Sequence, residues 1–359
     1  MMHKTIPLKE ISKVFFKLGT VGFGGPAAHI AMMREEVVAR HQWMKEQEFF
    51  DLVGATHLIP GPNSTELAIH IGHRLGGWKG LLTAGICFIF PAFLAVLTVA
   101  IFYVKYGSLP ELGHIMAGIK PVIVAIVLTA LFNFRKTAVP NFKMGFICLL
   151  GILFAVFGLN EILTLLFLST AYGVFTVKVK PKIALEPISI SLFLFFLKIG
   201  SVLFGSGYVL LAFLQNELVT ERMWLTQTQL LDAVAVGQFT PGPVFTTATF
   251  VGYLINGNIG AVLATIGIFL PSFFFVFISA PYLHKLRDSF FFSHFLDAIN
   301  AVSFSLMLVV CFSFSKSSLI SPLTIGLCLV SLGILFKFKK INSAWLIILG
   351  GLVGYFFFN

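Results

Sequence analysis

Charge is what this chain has least of. Only 11% of its 359 residues are Asp, Glu, Lys or Arg, against about 25% in an ordinary soluble domain. With 57% hydrophobic residues and a mean hydropathy of +0.94, it cannot cover itself with a polar surface, so its solvent is lipid. Cysteine is scarce too. Cys87, Cys148, Cys311 and Cys328 stand singly in apolar runs and none has CxxC spacing. That argues against a zinc site or a disulfide frame and leaves four small core residues. There is no Walker A sequence, hence no ATPase motor in the chain, and no HExxH or GxSxG, hence no signature of a zinc or serine hydrolase. No enzyme, cofactor or metal site is expected. Ahead of the first apolar run stand Lys4, Lys9, Glu10 and Lys13, without a cleavable signal pattern.

The net charge of +10 would suggest nucleic acid in a soluble protein. In a membrane protein it reflects the Lys and Arg that cytoplasmic loops collect, with a secondary role in drawing an anionic substrate. No nucleic-acid partner is expected.

A hydrocarbon core takes about 20 apolar residues in helix. The plain candidates are 80–104, 114–134, 143–158 and 161–177, then 259–283, 294–314, 319–336 and 342–358. Four other apolar stretches, 14–33, 49–75, 192–214 and 229–253, are broken by Gly, Pro and polar residues. Irregular backbone at membrane depth survives only where protein or a watery cavity satisfies it, so a site is expected in these four.

The breaks recur. Phe23-Gly24-Gly25 returns 181 residues later as Phe204-Gly205-Ser206, Glu36 as Glu217, Trp43 as Trp224, Asp51 as Asp232, and Pro60-Gly61-Pro62 as Pro241-Gly242-Pro243. Beyond the tripeptide the offset is 180, pairing Gly72 with Gly252 and Pro91 with Pro271. Two tandem copies in an apolar chain mark a transporter built from repeats, with its site where they meet. The halves are 1–182 and 183–359. Basic residues follow different loops in each: Arg74 and Lys79, Arg135, Lys136 and Lys143, and Lys178, Lys180 and Lys182 in the first; Lys285 and Arg287, then Lys337, Lys339 and Lys340 in the second. The change of phase predicts that the halves insert upside down relative to each other. The expected fold is an all-α polytopic membrane protein of two inverted repeats, about ten net crossings, and broken or re-entrant helices. The scheme places the N-terminus outside, against the basic Lys4, Lys9, Lys13 and Lys17.

Each Pro-Gly-Pro stops one helix and starts another, with the second Pro suited to the first helical position. Behind it, Asn63, Ser64 and Thr65 offer open N–H groups and polar side chains, and Thr246 and Thr247 do so in the second copy. A helix start with open N–H groups binds anions; two facing each other fit a tetrahedral dianion. The alternative is that both tripeptides only kink helices. Gly24, Gly25, Gly205 and Ser206 fit either a broken helix exposing its amides or close helix packing. Lys17 and Lys198, equivalent in the repeat, fit either the site or snorkelling to the interface. Lys120, inside an apolar span, and Arg34 are candidate counter-charges. Glu66, His57 and His70 are candidates for proton transfer, or else hydrogen-bonded structural groups. Asp51 and Asp232 read as helix N-caps, and Trp43 and Trp224 as interface residues.

Val21–Ile30, Trp43, Leu58–Thr65, Ala68–Gly72, Phe90–Phe93 and, in the second half, Gln238-Phe239-Thr240-Pro241-Gly242-Pro243 resemble the signature of the chromate transporter family in its long, two-domain form. The resemblance covers essentially the whole chain. It implies a multi-pass protein of the bacterial inner membrane that exports chromate, driven by the proton motive force and conferring chromate resistance, with sulfate as a similar dianion that competes. Gln238 joins the candidate site with Pro60, Gly61, Pro62, Pro241, Gly242 and Pro243. The second copy departs from the family's Phe-Gly-Gly in its Ser206. Implied partners are the oxyanion, protons and lipid; a homo-oligomer stays open. So do a passive oxyanion channel and a transporter of another small anion.

Overall fold

The computed structural model describes residues 6–23, 25–56, 59–107, 109–157, 164, 168, 188–204, 209–280, 290–338 and 342–357. Its elements are helical throughout. Four are long and apolar enough to cross a membrane: Asn63–Tyr106, Pro110–Ala138, Val244–Ser279 and Asp297–Ser318. Shorter apolar helices span Phe142–Val156, Ile188–Val202, Pro322–Lys337 and Ser343–Phe357. The expected spans are recovered within a few residues, apart from 161–177, which lies outside the described residues but for 164 and 168. Helix starts follow local chemistry. The Asn141 side chain accepts from the Met144 N–H at 3.0 Å, and Ser321 and Thr324 form a capping box ahead of Pro322.

Two of the long helices are not straight rods. Gly76 and Gly77 interrupt the first, and Asn256 and Gly257 interrupt the second at the equivalent place. Gly77 (φ 59°, ψ −151°) and Gly257 (φ 56°, ψ −148°) sit where only glycine is at ease. Gly72 and Gly80 would lie about 12 Å apart along a continuous helix. Instead their backbones touch, and a methyl added to either would strike the other's carbonyl. Gly252 and Gly260 repeat this contact, and the Thr249 and Thr265 hydroxyls lie 2.7 Å apart across the same pair of arms. Each element is therefore a hairpin, with arms 63–75 and 78–106 in one, 247–255 and 258–279 in the other. Arm 63–75 is about 20 Å long, too short for a core of about 30 Å; 78–106 is long enough.

The repeat extends to fine detail. A π-helical stretch occurs at Glu35–Arg40 and again at Leu214–Glu221. Each ends beside a non-glycine residue at positive φ, Gln42 or Met223. The Trp43 N–H donates to Val37 O, and the Trp224 N–H to Leu218 O, both at 2.8 Å.

By packing, the chain forms two compact units, each drawing on both halves. The first holds residues 1–104, 192–203 and 236–288. There Leu8–Val21 lies so close to arm 78–106 that a methyl on Gly19 would meet Phe88 O, and a methyl on Gly200 would meet Ile268 O in the equivalent place. The second holds 105–191, 204–235 and 289–359. Its central helix, Pro110–Ala138, packs against Phe290–Ser318, Pro322–Lys337 and Ser343–Phe357. Gly118 meets Gly350 and Gly354 backbone to backbone. Lipid offers helices no hydrophobic drive to associate, so close approach at small residues supplies the packing energy.

Filling the Gly72–Gly80 contact should therefore be costly. Gly72→Leu is expected to destabilise the protein by about 1–3 kcal/mol or more, lowering its melting temperature in detergent. Gly113→Leu, at a position with nothing within 4 Å of an added methyl, should leave it unchanged. Equal melting of the two variants would contradict the hairpin.

Candidate functional site

The two Pro-Gly-Pro turns are the tips of paired half-helices. Glu46–Thr56 leads to the first tip and arm 63–75 leads away; Arg74, at the far end of that arm, pairs with Glu48 at the start of the incoming helix. The peptide chain turns through Gly61 at φ 138° and through Gly242 at φ 90°, backbone that a side chain would strain. Each tip is tied to the other half of the chain. The Gly61 N–H donates to Leu203 O and the Gly242 N–H donates to Gly22 O, both at 2.7 Å. Leu203 and Gly22 are equivalent positions, each just ahead of a Phe-Gly break. The first compact unit thus brings together both tips and the entrances of both glycine breaks. Gly25 (φ 78°) is described; Gly24, Gly205, Ser206 and His57 lie outside the described residues.

Donors around the tips are fewer than the sequence suggests. The Thr65 and Glu66 N–H groups both donate to Pro62 O, at 2.8 and 3.0 Å, so the Thr65 amide is not an open donor. The Thr246 hydroxyl donates to Pro243 O and the Thr247 hydroxyl to Val244 O, each at 2.8 Å, so their protons are committed to backbone. The reason is the tight first turn, whose carbonyls lie within reach of short hydroxyl side chains. Ser64 is buried, and the buried Thr65 hydroxyl has no hydrogen-bond partner among the described residues. Asn63 is half-buried at the start of the arm, and Gln238 is buried at the end of Gln227–Phe239.

Glu66 follows one residue after Thr65 and is wholly buried. Its carboxyl faces Gly61, and the Ser272 hydroxyl of the second half stands beside it. Neither carboxyl oxygen has a well-aligned hydrogen-bond partner among the described residues. His70, one helical turn further on, is 1% exposed, and its Nε2 likewise lacks a partner there. Ser272 was not legible as a site residue; nothing local marks a side chain whose partner lies about 200 positions away. Elsewhere in this unit an apolar groove of about 430 Å³ runs between residues 82–93 and 262–273; its hydrocarbon walls offer a dianion nothing.

The charged candidates have partners of their own. Arg34 is exposed and binds Glu46, with Nε 2.9 Å from Oε1. Lys17 Nζ lies 2.5 Å from Glu36 Oε1, where Arg40 and His41 also gather. In the second unit Lys120 Nζ lies 3.5 Å from Asp232 Oδ1, the acid 3% exposed. Asp232 is therefore no N-cap. It sits within Gln227–Phe239, and its equivalent Asp51 sits within Glu46–Thr56, accepting from Gln47 at 3.3 Å. The signal for the pair was present: each residue is the lone charge of its apolar stretch, and lone charges in lipid seek each other. Among the described residues no three His, Cys, Asp or Glu side chains gather as a metal site.

Burial pushes the Glu36 carboxyl up, but the hydrogen bond and charge of Lys17, then those of Arg40, outweigh it and hold the group below the usual carboxylate range. A depressed folded value means stability that is present above the unfolded value and is lost as pH falls through the folded one. Glu36→Gln should melt below wild type at pH 7, by about 1 kcal/mol or less given the exposed Lys17, and the gap should close in acid. A gap that persists at pH 2–3 would contradict this assignment.

The model of the family described as "Chromate transporter" matches the chain twice, over residues 9–174 and 190–355. The chromate transport protein of Cupriavidus metallidurans is 30% identical over 374 residues, covering 98% of this chain and 93% of that protein. A probable chromate transport protein of Synechococcus elongatus is 28% identical over 384 residues, covering 100% and 98%. An uncharacterized transporter of Methanocaldococcus jannaschii is 29% identical over 373 residues, covering 95% and 92%. No solved structure matches. Duplicated in sequence, duplicated around its two Pro-Gly-Pro tips, and matched over nearly its whole length, this chain belongs to the chromate transporter family, a family of membrane transporters rather than enzymes.

Proposed function

We propose that this protein is a secondary transporter that exports chromate or a similar tetrahedral oxyanion such as sulfate across the bacterial inner membrane, coupled to the proton motive force. The observation that carries the reading is the exchanged pair of bonds at the tips, Gly61 to Leu203 and Gly242 to Gly22. Those bonds hold two helix starts beside Gly22 and Leu203, the residues just ahead of the two Phe-Gly breaks, and helix starts present positive dipole ends to an anion. Kinking alone would not require such an exchange.

In this reading the oxyanion is held by backbone amides about Gly61 and Gly242 with the Ser64 and Thr65 hydroxyls, with Asn63, Gln238 and Gly25 as further candidates; Gly24, Gly205 and Ser206 stay candidates from sequence alone. Thr246 and Thr247 shape the second tip through their backbone bonds. Arg34, engaged with Glu46 at the surface, and Lys120, engaged with Asp232 in the second unit, stay candidate counter-charges. Glu66, His57 and His70 are the groups for proton coupling. The change of phase in the loop charges supports inverted insertion of the halves.

Purified protein in liposomes should accumulate chromate under a pH gradient, with sulfate competing. Gly61→Val and Gly242→Val should each reduce flux at least tenfold while the protein still inserts, because a side chain is strained at these positive φ values and meets Ser272 in the one case and Ala92 in the other. Normal flux in the double variant would sink the site. Chromate leakage indifferent to the pH gradient, with single-channel currents, would mark a passive channel instead.

A further inference from the structure

The acid at the first tip is hard to reconcile with an anion bound beside it. Glu66 is 0% exposed, its carboxyl is aimed at Gly61, and neither oxygen has a well-aligned hydrogen-bond partner among the described residues. Burial of a lone carboxylate is expensive unless it is paired or neutral. From the facing arm 258–279 comes the Ser272 hydroxyl, and that arm carries no Asp, Glu, Lys, Arg or His. On its own arm stand His70 one turn away, His73, and Arg74, the last engaged with Glu48. Of the other charged groups of the unit, Lys17 and Arg40 hold Glu36, and Arg34 holds Glu46. The buried His29 is bonded to Gly22 O at 2.9 Å. No cation pairs with Glu66 among the described residues.

The arrangement is also one-sided. The matching stretch of the second tip, Thr246-Thr247, has no acid, and the place of Ser272 is taken by Ala92. A feature kept in one copy of a close duplicate is not demanded by the shared fold.

We propose that Glu66 is the proton site of the transporter, and that the oxyanion occupies the first tip only together with a proton on this carboxyl. Ionised, Glu66 repels a dianion from the helix start. Neutral, it offers the anion an O–H donor where Thr65 and Glu66 amides are already spent on Pro62 O. The proton comes from solvent, stays on the carboxyl oxygen while the anion is bound, and leaves when the anion leaves; no other bond changes. Proton and anion thus bind with positive linkage, each raising the affinity for the other by the same factor. With one acid for two tips, the count is one proton per oxyanion at this site; the pair crosses together with one net negative charge, so the inside-negative membrane potential is the component of the proton motive force that drives its export. Ser272 positions the carboxyl.

This rests on the oxyanion-transport reading, and the test separates the two. Inorganic sulfate is the probe, because it stays a dianion through the range used. Its binding to the purified, detergent-solubilised protein is measured calorimetrically in two buffers of different ionisation enthalpy. Wild type should bind sulfate without proton uptake where the buried Glu66 carboxyl is already neutral in the free protein, and should take up about one proton per sulfate, with affinity falling by up to about tenfold per pH unit, once rising pH ionises it. Glu66→Gln should bind sulfate with no proton uptake and a flat pH profile, and Ser272→Ala should retain the uptake. Proton uptake undiminished in Glu66→Gln overturns the proposal. Should that variant fail to fold, an affinity in wild type that stays flat from pH 5 up to pH 10 overturns it just as well. Sulfate and chromate binding absent from folded wild type at every pH would overturn the transport reading, and this inference with it.

Discussion

Two backbone hydrogen bonds, Gly61 N–H to Leu203 O and Gly242 N–H to Gly22 O, are the constraint on which the geometry of the candidate site depends. They are the same bond made twice with the halves exchanged. In lipid an amide without a partner costs several kcal/mol. A chain that interrupts apolar helices must therefore reassign the freed groups, and here an amide of each Pro-Gly-Pro tip is taken up by a carbonyl of the other copy. Neither half can complete these two bonds alone, which ties the tips' geometry to the duplication.

Glycine makes this geometry reachable. The tips need positive φ at Gly61 and Gly242, and the hairpins need it at Gly77 and Gly257. Contacts at Gly19, Gly72, Gly80, Gly200, Gly252 and Gly260 then let arms approach to backbone distance. Dispersion between closely packed atoms takes over the role that hydrophobic burial plays in water. The many exposed large side chains, among them Phe102, Phe274, Leu329 and Trp345, are what a surface solvated by lipid requires.

Much of the fold was legible because its signals are local or periodic. Apolar runs marked the spans, and Gly-Pro clusters marked the breaks at Phe23–Pro26 and Pro60–Pro62. The 181-residue echo marked the duplication, and the tips lie where helix-breaking residues said they would. What escaped was pairing. That Arg34 binds Glu46 and that Ser272 stands beside Glu66 are facts of tertiary geometry, with no trace in the spacing of either partner, whereas Asp232 and Lys120 were each marked as a lone charge in an apolar stretch and only their meeting needed the fold. The Thr246 and Thr247 hydroxyls escaped for a smaller reason: composition shows that a hydroxyl is present, and only the turn shows that its proton is already given to a carbonyl.

The most direct test is to see the anion. An electron cryomicroscopy map of the protein with tungstate, a heavy tetrahedral dianion, should show strong density against the Pro60–Pro62 and Pro241–Pro243 tips. Bound tungstate elsewhere, with both tips empty at saturating concentration, would contradict the account.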